Sequence, residues 1–302
     1  MRATLSVILL LLFLSGIGCA ETIGIIFSAD IPYYRSVHEA FVLRLKEGNG
    51  GERIKFIVQK PYPDPVSWSN AARKLASADV DAIVTYGTAA SLAAIKERTG
   101  IPIVYAGVYE PVNPKGRMTG ACFKVPVSSI LRYLGDITTV NTLGVLYSSM
   151  EEDSVHQMKE VKELSSKYGF AVREMNLRRP ADVSALFSEG GGQLSALFVT
   201  SSASVHIALP SIVNIVRSKK IPSGGILVPE DSGVLVAFTA DPKEQGRTAA
   251  DKLMEVLKGK PAGDIPPSVC KNIELIFNMK EAVDMGLKIP MDLVTGATKI
   301  VY

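Results

Sequence analysis

Cysteine, histidine and tryptophan are scarce in this chain of 302 residues, with three, three and one. Past the first twenty residues only Cys122 and Cys270 remain, too few for a disulfide scaffold and without metal-ligand spacing. No G-x-G-x-x-G or G-x-x-x-x-G-K-S/T stands at a strand-to-helix corner, which argues against dinucleotide and nucleoside triphosphate sites. G-x-S-x-G is absent, and His38, His156 and His206 make no Ser/His/Asp or Cys/His set by spacing. His38 and His156 read as solvated helix residues, and His206 as a residue that caps or packs. A net charge of +3 with no Lys/Arg run gives no case for nucleic acid or a membrane-surface patch. The expectations are no metal, no cofactor and no catalytic residue.

What is present begins with a leader. MRATLSVILLLLFLSGIGCA has a basic start, an apolar run from Leu5 to Leu14 and a small-residue end, the pattern of a cleaved signal peptide over 1–20. It is too short and wrongly flanked for a spanning helix. Cys19 offers lipidation as the alternative, but Gly16 stands where a lipoprotein signal usually has Leu. Export to the periplasm or beyond follows, and an oxidising compartment leaves Cys122 and Cys270 bridged or buried and reduced.

From Thr22 onward, apolar strands alternate with amphipathic helices. Thr22–Phe27, Ile54–Val58, Ala82–Tyr86 and Ile103–Tyr105 read as strands; Val37–Leu45, Ser67–Ala76 and Thr88–Arg98 read as helices between them. PVNPKGRMTG (111–120) reads as a loop or crossing, after which the rhythm resumes. Strands Leu143–Tyr147, Phe170–Met175, Ala196–Thr200, Ile226–Val228 and Gly233–Phe238 follow, with helices Ser154–Tyr168, Ala181–Ser188 and Val205–Arg217. Asp241-Pro242 opens a helix to Leu257, and Ile273–Asn278 with Met279–Gly286 closes the series. The fold class is α/β, with parallel sheets covered on both faces and two similar runs.

In such sheets ligands bind beyond the strand carboxyl ends. Gly87-Thr88-Ala89 is one such corner, offering backbone N–H groups, a hydroxyl and the positive helix end to an anion. The bland alternative is that Gly87 only lets strand and helix pack. A second corner runs Tyr147-Ser148-Ser149-Met150-Glu151-Glu152-Asp153-Ser154; its acids read as helix caps, or as acceptors for a ligand ammonium. Thr200-Ser201-Ser202 and Pro229-Glu230-Asp231-Ser232 are further polar corners, Tyr33, Tyr34 and Tyr109 are candidate pocket aromatics, and Trp68 reads as core.

The blocks DAIVTYGTAASLAAIKERTGIPIVYAGVYEPV, TGACFKVPV, LGVLYSSMEEDS and IELIFNMKEAVDMGLKIPMDLVTGATKIVY, in that order, resemble ABC transporter substrate-binding proteins of the tryptophan- and tyrosine-related type. The resemblance implies a type I periplasmic-binding-protein-like fold: two Rossmann-like lobes joined by three crossings, expected near Arg117–Thr119, Gly233–Leu235 and Lys258–Asp264. Lobe one is then 21–118 plus 236–258 and lobe two 119–235 plus 259–302. Carried over by position, the ligand-binding set is Gly87, Thr88 and Ala89, then Tyr147, Glu151 and Asp153, then Ser201 and Ser202. Ser28, Tyr33, Arg35, Tyr109, Glu230 and Asp231 complete the expected site. The chain departs from the family at Ser28, Tyr34-Arg35, Ser202-Ala203 and a short Pro229–Gly233.

The function implied is a monomeric exported solute-binding protein of an ABC importer. It would close on a small polar or aromatic ligand, amino-acid-like or another carboxylate, and present it to a membrane permease. The alternatives are a periplasmic sensor presenting its closed form to a receptor, and, third, an α/β enzyme. The resemblance also places Cys122 and Cys270 close together in one lobe.

Overall fold

In a computed structural model describing residues 20–48, 54–112, 116–189 and 192–302, the apolar runs become two sheets. Most of the expected leader, with Cys19, lies outside the described residues. The first sheet is built by β1 (Glu21–Phe27), β2 (Ile54–Gln59), β3 (Ala82–Tyr86), β4 (Ile103–Val108) and β5 (Met118–Cys122). β3 and β4 are buried at every residue, as strands covered on both faces must be. Between the strands run α1 (Pro32–Glu47), α2 (Pro65–Ala76) and α3 (Thr88–Lys96). Pro32 pre-sets the first turn of α1, and Asp64 caps α2 by accepting from the amides of Val66 and Ser67.

After β5 the chain enters the second half through α4 (Val127–Ile137), β6 (Thr142–Tyr147), α5 (Glu152–Tyr168), β7 (Ala171–Asn176), α6 (Val183–Ser188) and β8 (Ala196–Val199). α7 (Ala203–Ile207), α8 (Leu209–Lys219), β9 (Ser223–Ile226) and β10 (Val236–Ala240) follow. It returns with α9 (Pro242–Leu257) and β11 (Ser268–Val269), then finishes in the second half with β12 (Ile273–Asn278), α10 (Met279–Met285), α11 (Met291–Thr295) and β13 (Lys299–Val301). The sheet orders are β11-β5-β4-β3-β1-β2 and β13-β12-β10-β9-β8-β6-β7. Every pairing is parallel except β10 with β12.

Strand pairing sets the exchange points later than the sequence boundaries. Met118–Cys122 pairs in the first sheet, Val236–Ala240 in the second and Ser268–Val269 in the first, so the crossings fall near 123–126, 240–242 and 270–272. The stretch expected as loop ends in β5 because Gly120 lies flush on Tyr105, where a Cβ would be 2.2 Å from its carbonyl oxygen. Helix α4, which was not expected, buries Val127, Ile130, Leu131 and Leu134 at helical spacing.

The return helix α9 is clamped to α1 at backbone distance. A Cβ on Gly246 would stand 2.3 Å from the Val37 carbonyl oxygen and 2.7 Å from the Phe41 nitrogen. Gly246→Ala is therefore expected to destabilise the protein by about 2 kcal/mol through overpacking, read as a lowered Tm with unchanged far-UV circular dichroism. An unchanged Tm would mean that the helices separate freely.

Candidate functional site

The carboxyl ends of the two sheets face each other, and each corner is shaped by a local constraint. β3 ends at Tyr86, and Gly87 follows with φ +91°, a left-handed conformation that favours glycine. Its missing side chain makes room for two groups, since a Cβ there would lie 2.4 Å from Tyr34 Oη and 2.6 Å from Ser28 Oγ. Ser28 Oγ accepts from the Ala90 amide at 3.0 Å, and its carbonyl accepts from Trp68 Nε1 at 2.7 Å. The amides of Thr88 and Ala89, first in α3, have no acceptor within the helix. This corner therefore brings Ser28, Tyr34, Gly87 and Thr88 together, with Trp68 behind them.

The opposing corner supplies Asp153 from the first turn of α5. One carboxylate oxygen accepts from Thr88 Oγ1 at 2.5 Å and from the Tyr109 amide at 3.2 Å, both from the first half. The carboxyl is raised to about 6, by burial first, with the two hydrogen bonds pulling it down and the charges of Glu151 and Glu152 adding to the rise. The Tyr34 phenol is raised by burial and then by Glu151 and Asp153, which places it in the field of both acids.

Glu151 is turned inward. Its two oxygens accept from Ser202 Oγ at 2.6 Å, the Ala203 amide at 2.6 Å and the Ser204 amide at 3.0 Å, which closes the start of α7. Burial raises its pKa against these bonds. Of the two acids expected to receive an ammonium, Glu151 is engaged inside its own half, while Asp153 faces the other. Ser201 is held by Gln157, whose amide donates to Ser201 Oγ at 2.7 Å and accepts from its N–H at 2.9 Å.

Two grooves flank this contact. One, of about 530 Å³, runs between the start of α1 and α7–α8 and includes Tyr33, Arg35, His206, Arg217 and Asp231 in its walls. The other, of about 620 Å³, lies between α2–α3 and the start of α5, with Trp68, Ala89, Met150 and Lys159. Arg35 pairs with Asp30 at 3.3 Å, and Asp30 also holds Lys60 at 3.0 Å, so its charge is already partnered.

Two expected residues stand apart. Tyr147 Oη donates to Glu174 of β7 at 3.1 Å, along its own sheet. Glu230 pairs with Lys299 at 3.2 Å beside β13, in a small cavity that shares Tyr33 with the first groove. Gln157, and Arg217, which lines the first groove and pairs with Glu281, carry no local sequence signal, because their neighbours come from distant segments. His206 does pack, as one of its two readings had it; burial lowers its pKa to about 4.

The thiols of Cys122 and Cys270 are free and buried. The backbones touch, the Cys270 amide donating to the Cys122 carbonyl at 2.8 Å. The side chains belong to different hydrophobic clusters, Cys122 to the one that includes Trp68 and Tyr105, and Cys270 to the one that includes Phe41 and Leu253. Burial pushes the thiols up to about 11 and about 12.

Two mainly parallel α/β sheets, joined by three crossings and facing each other at their carboxyl ends, define a type I periplasmic-binding-protein fold. The chain belongs to the ABC transporter substrate-binding protein family, whose model matches residues 43–301. It is 25% identical over 283 residues to a tyrosine-binding protein of Clostridioides difficile (strain R20291), covering 88% of this chain and 81% of that protein. A crystal structure of a conserved domain protein from Vibrio cholerae is 21% identical, with TM-score 0.87, covering 93% of this chain and 99% of that one. An ABC domain in complex with L-Trp from Streptococcus pneumonia is 21% identical with TM-score 0.85, again covering 93% and 99%. The ligand-free, open structure of a substrate-binding protein with adhesive properties from Clostridium difficile is 24% identical with TM-score 0.65 over the same shares. No helix among the described residues is long and apolar enough to cross a membrane.

Because the structure holds the Asp153 carboxyl above its ordinary range, its contribution to stability is full below about pH 4 and lost as pH rises through about 6. His206 acts oppositely: held neutral, it loses stability as pH falls from its ordinary range toward about 4. The two slopes overlap, so the wild-type melting profile alone does not separate them. The difference between wild type and Asp153→Asn isolates the first: it should favour the variant progressively from pH 4 to pH 7 in thermal melts. A pH-independent difference would show that Asp153 keeps its solvent.

Proposed function

We propose that this chain is an exported solute-binding protein of an ABC importer that closes two lobes on an amino-acid-like zwitterion with an aromatic side chain. By sheet membership, the lobes would be 21–122 with 241–269 and 123–240 with 270–302. The observation that carries the reading is the meeting of Thr88 and the Tyr109 amide with Asp153 across the two halves. A carboxylate buried between lobes is poorly solvated and gains most from a cationic partner. A ligand ammonium would take the place of the Thr88 and Tyr109 donors on Asp153. The released Thr88 hydroxyl and the amides of Thr88 and Ala89 would then receive the ligand carboxylate at the start of α3.

The rings of Tyr33 and Tyr34, 5.8 Å apart and edge to face, would cover the side chain. The 530 Å³ groove beside Tyr33 gives a bulky group room. The greater likeness to the L-Trp complex than to the open structure supports a closed arrangement of the halves. The names of the relatives support tyrosine or tryptophan as the first ligands to try. Closure without turnover, presentation to a permease, a monomeric state and removal of the leader over 1–20 complete the reading.

L-tyrosine or L-tryptophan at a hundred times its dissociation constant should add about 2.7 kcal/mol of stability, read as a raised Tm. Thr88→Ala should weaken the same ligand about ten-fold, the loss of one charge-assisted hydrogen bond. No shift with any amino acid, or undiminished affinity in Thr88→Ala, would remove this corner from the site.

A further inference from the structure

Asp153, His156 and Glu160 lie three and four residues apart on α5 and so share one face of the helix. That face is pressed against Tyr109 and Glu110, which follow β4 in the other half. Tyr109 Oη donates to Glu160 at 2.9 Å and to the Val125 carbonyl, on the first crossing, at 3.0 Å. His156 Nε2 stands 3.5 Å from Glu160 and 3.8 Å from Glu110, bridging one carboxylate from each half. Lys124, also on the crossing, pairs with Glu110 and lies 5.8 Å from the centre of the Tyr109 ring. The Tyr109 and His156 rings are 5.9 Å apart. Several of these contacts join side chains of opposite halves, so opening the cleft must break them together.

We propose that the His156–Glu160 face of α5 is a clasp on Tyr109–Glu110 that sets ligand affinity by holding the lobes closed, without touching the ligand. The proposal rests on the closure reading above. Neither His156 nor Glu160 lines the two grooves beside the Thr88–Asp153 contact. Their effect therefore runs through the equilibrium between open and closed arrangements, and both are positioning residues. Because the clasp forms after the lobes approach, it acts on dissociation more than on association.

The test compares wild type, Glu160→Ala, Glu160→Gln and His156→Ala. L-tyrosine and L-tryptophan serve as calorimetric probes, and small-angle scattering is recorded with and without them. Glu160→Ala should bind about ten-fold more weakly and release its ligand faster. Glu160→Gln, which keeps an acceptor for the Tyr109 hydroxyl, should restore most of the affinity. Without added amino acid, Glu160→Ala and His156→Ala should show a larger mean radius of gyration than wild type at an unchanged Tm. Superimposable scattering curves, or an affinity loss that Gln does not restore, overturn the clasp. If neither amino acid binds wild type, the ligand reading fails by itself, and the scattering comparison still decides the clasp.

Discussion

The structure turns on a carboxylate that sits between two halves of the molecule. Asp153 reaches the Thr88 hydroxyl and the Tyr109 amide only because both sheets direct their strand carboxyl ends at one another. Burial penalises its charge, two donors offset part of the penalty, and no basic side chain pairs with it among the described residues. A group in that condition is easily exchanged onto a better partner. Gly87 opens space for Tyr34 and Ser28, and Glu151 is spent on the start of α7, so of the two acids at that corner Asp153 is the one facing the opposite half.

The crossings between the halves are anchored away from the Asp153 contact. The Cys122 carbonyl accepts both the Cys270 amide and Gln245 Nε2, and Gln245 Oε1 takes the Gly107 amide. Gln245 is wholly buried, so each of these bonds is made in a poorly solvating interior and is costly to lose. Two crossings are thereby tied to the first half at one carbonyl. The clamped pair α1–α9 stiffens the same half. Tyr109 and Glu110 reach from this half to α5 of the other.

Legibility in the sequence followed the range of the interaction. Strands such as Ala82–Tyr86 and helices such as Glu152–Tyr168 were readable because their signals, apolar runs and helical stripes, lie within a dozen residues. The corners Gly87–Ala89 and Tyr147–Asp153 could be located as strand-to-helix junctions before any coordinates. Helix α4 carries an apolar stripe too short to stand out from the flanking loops, while β5 is masked by the prolines and glycines before it. The second crossing falls later than the sequence places it because β10 reads like any other strand, and only its pairing with β9 and β12 assigns it to a sheet.

By itself the sequence determined the α/β class, the two runs of alternating elements, the resemblance to a binding-protein family and the short stretches from which a site is made. These depend on local periodicity and on residue order, which a chain carries whether or not it is folded. Tertiary structure alone decided which candidate side chains are available: Asp153 faces across the cleft, Glu151 is committed to Ser202 and its neighbours, Arg35 is taken by Asp30, and Tyr147 and Glu230 point elsewhere. The reason is physical. A charge or hydroxyl acquires its role from the partner it meets and the water it loses, and both are set by segments tens of residues away.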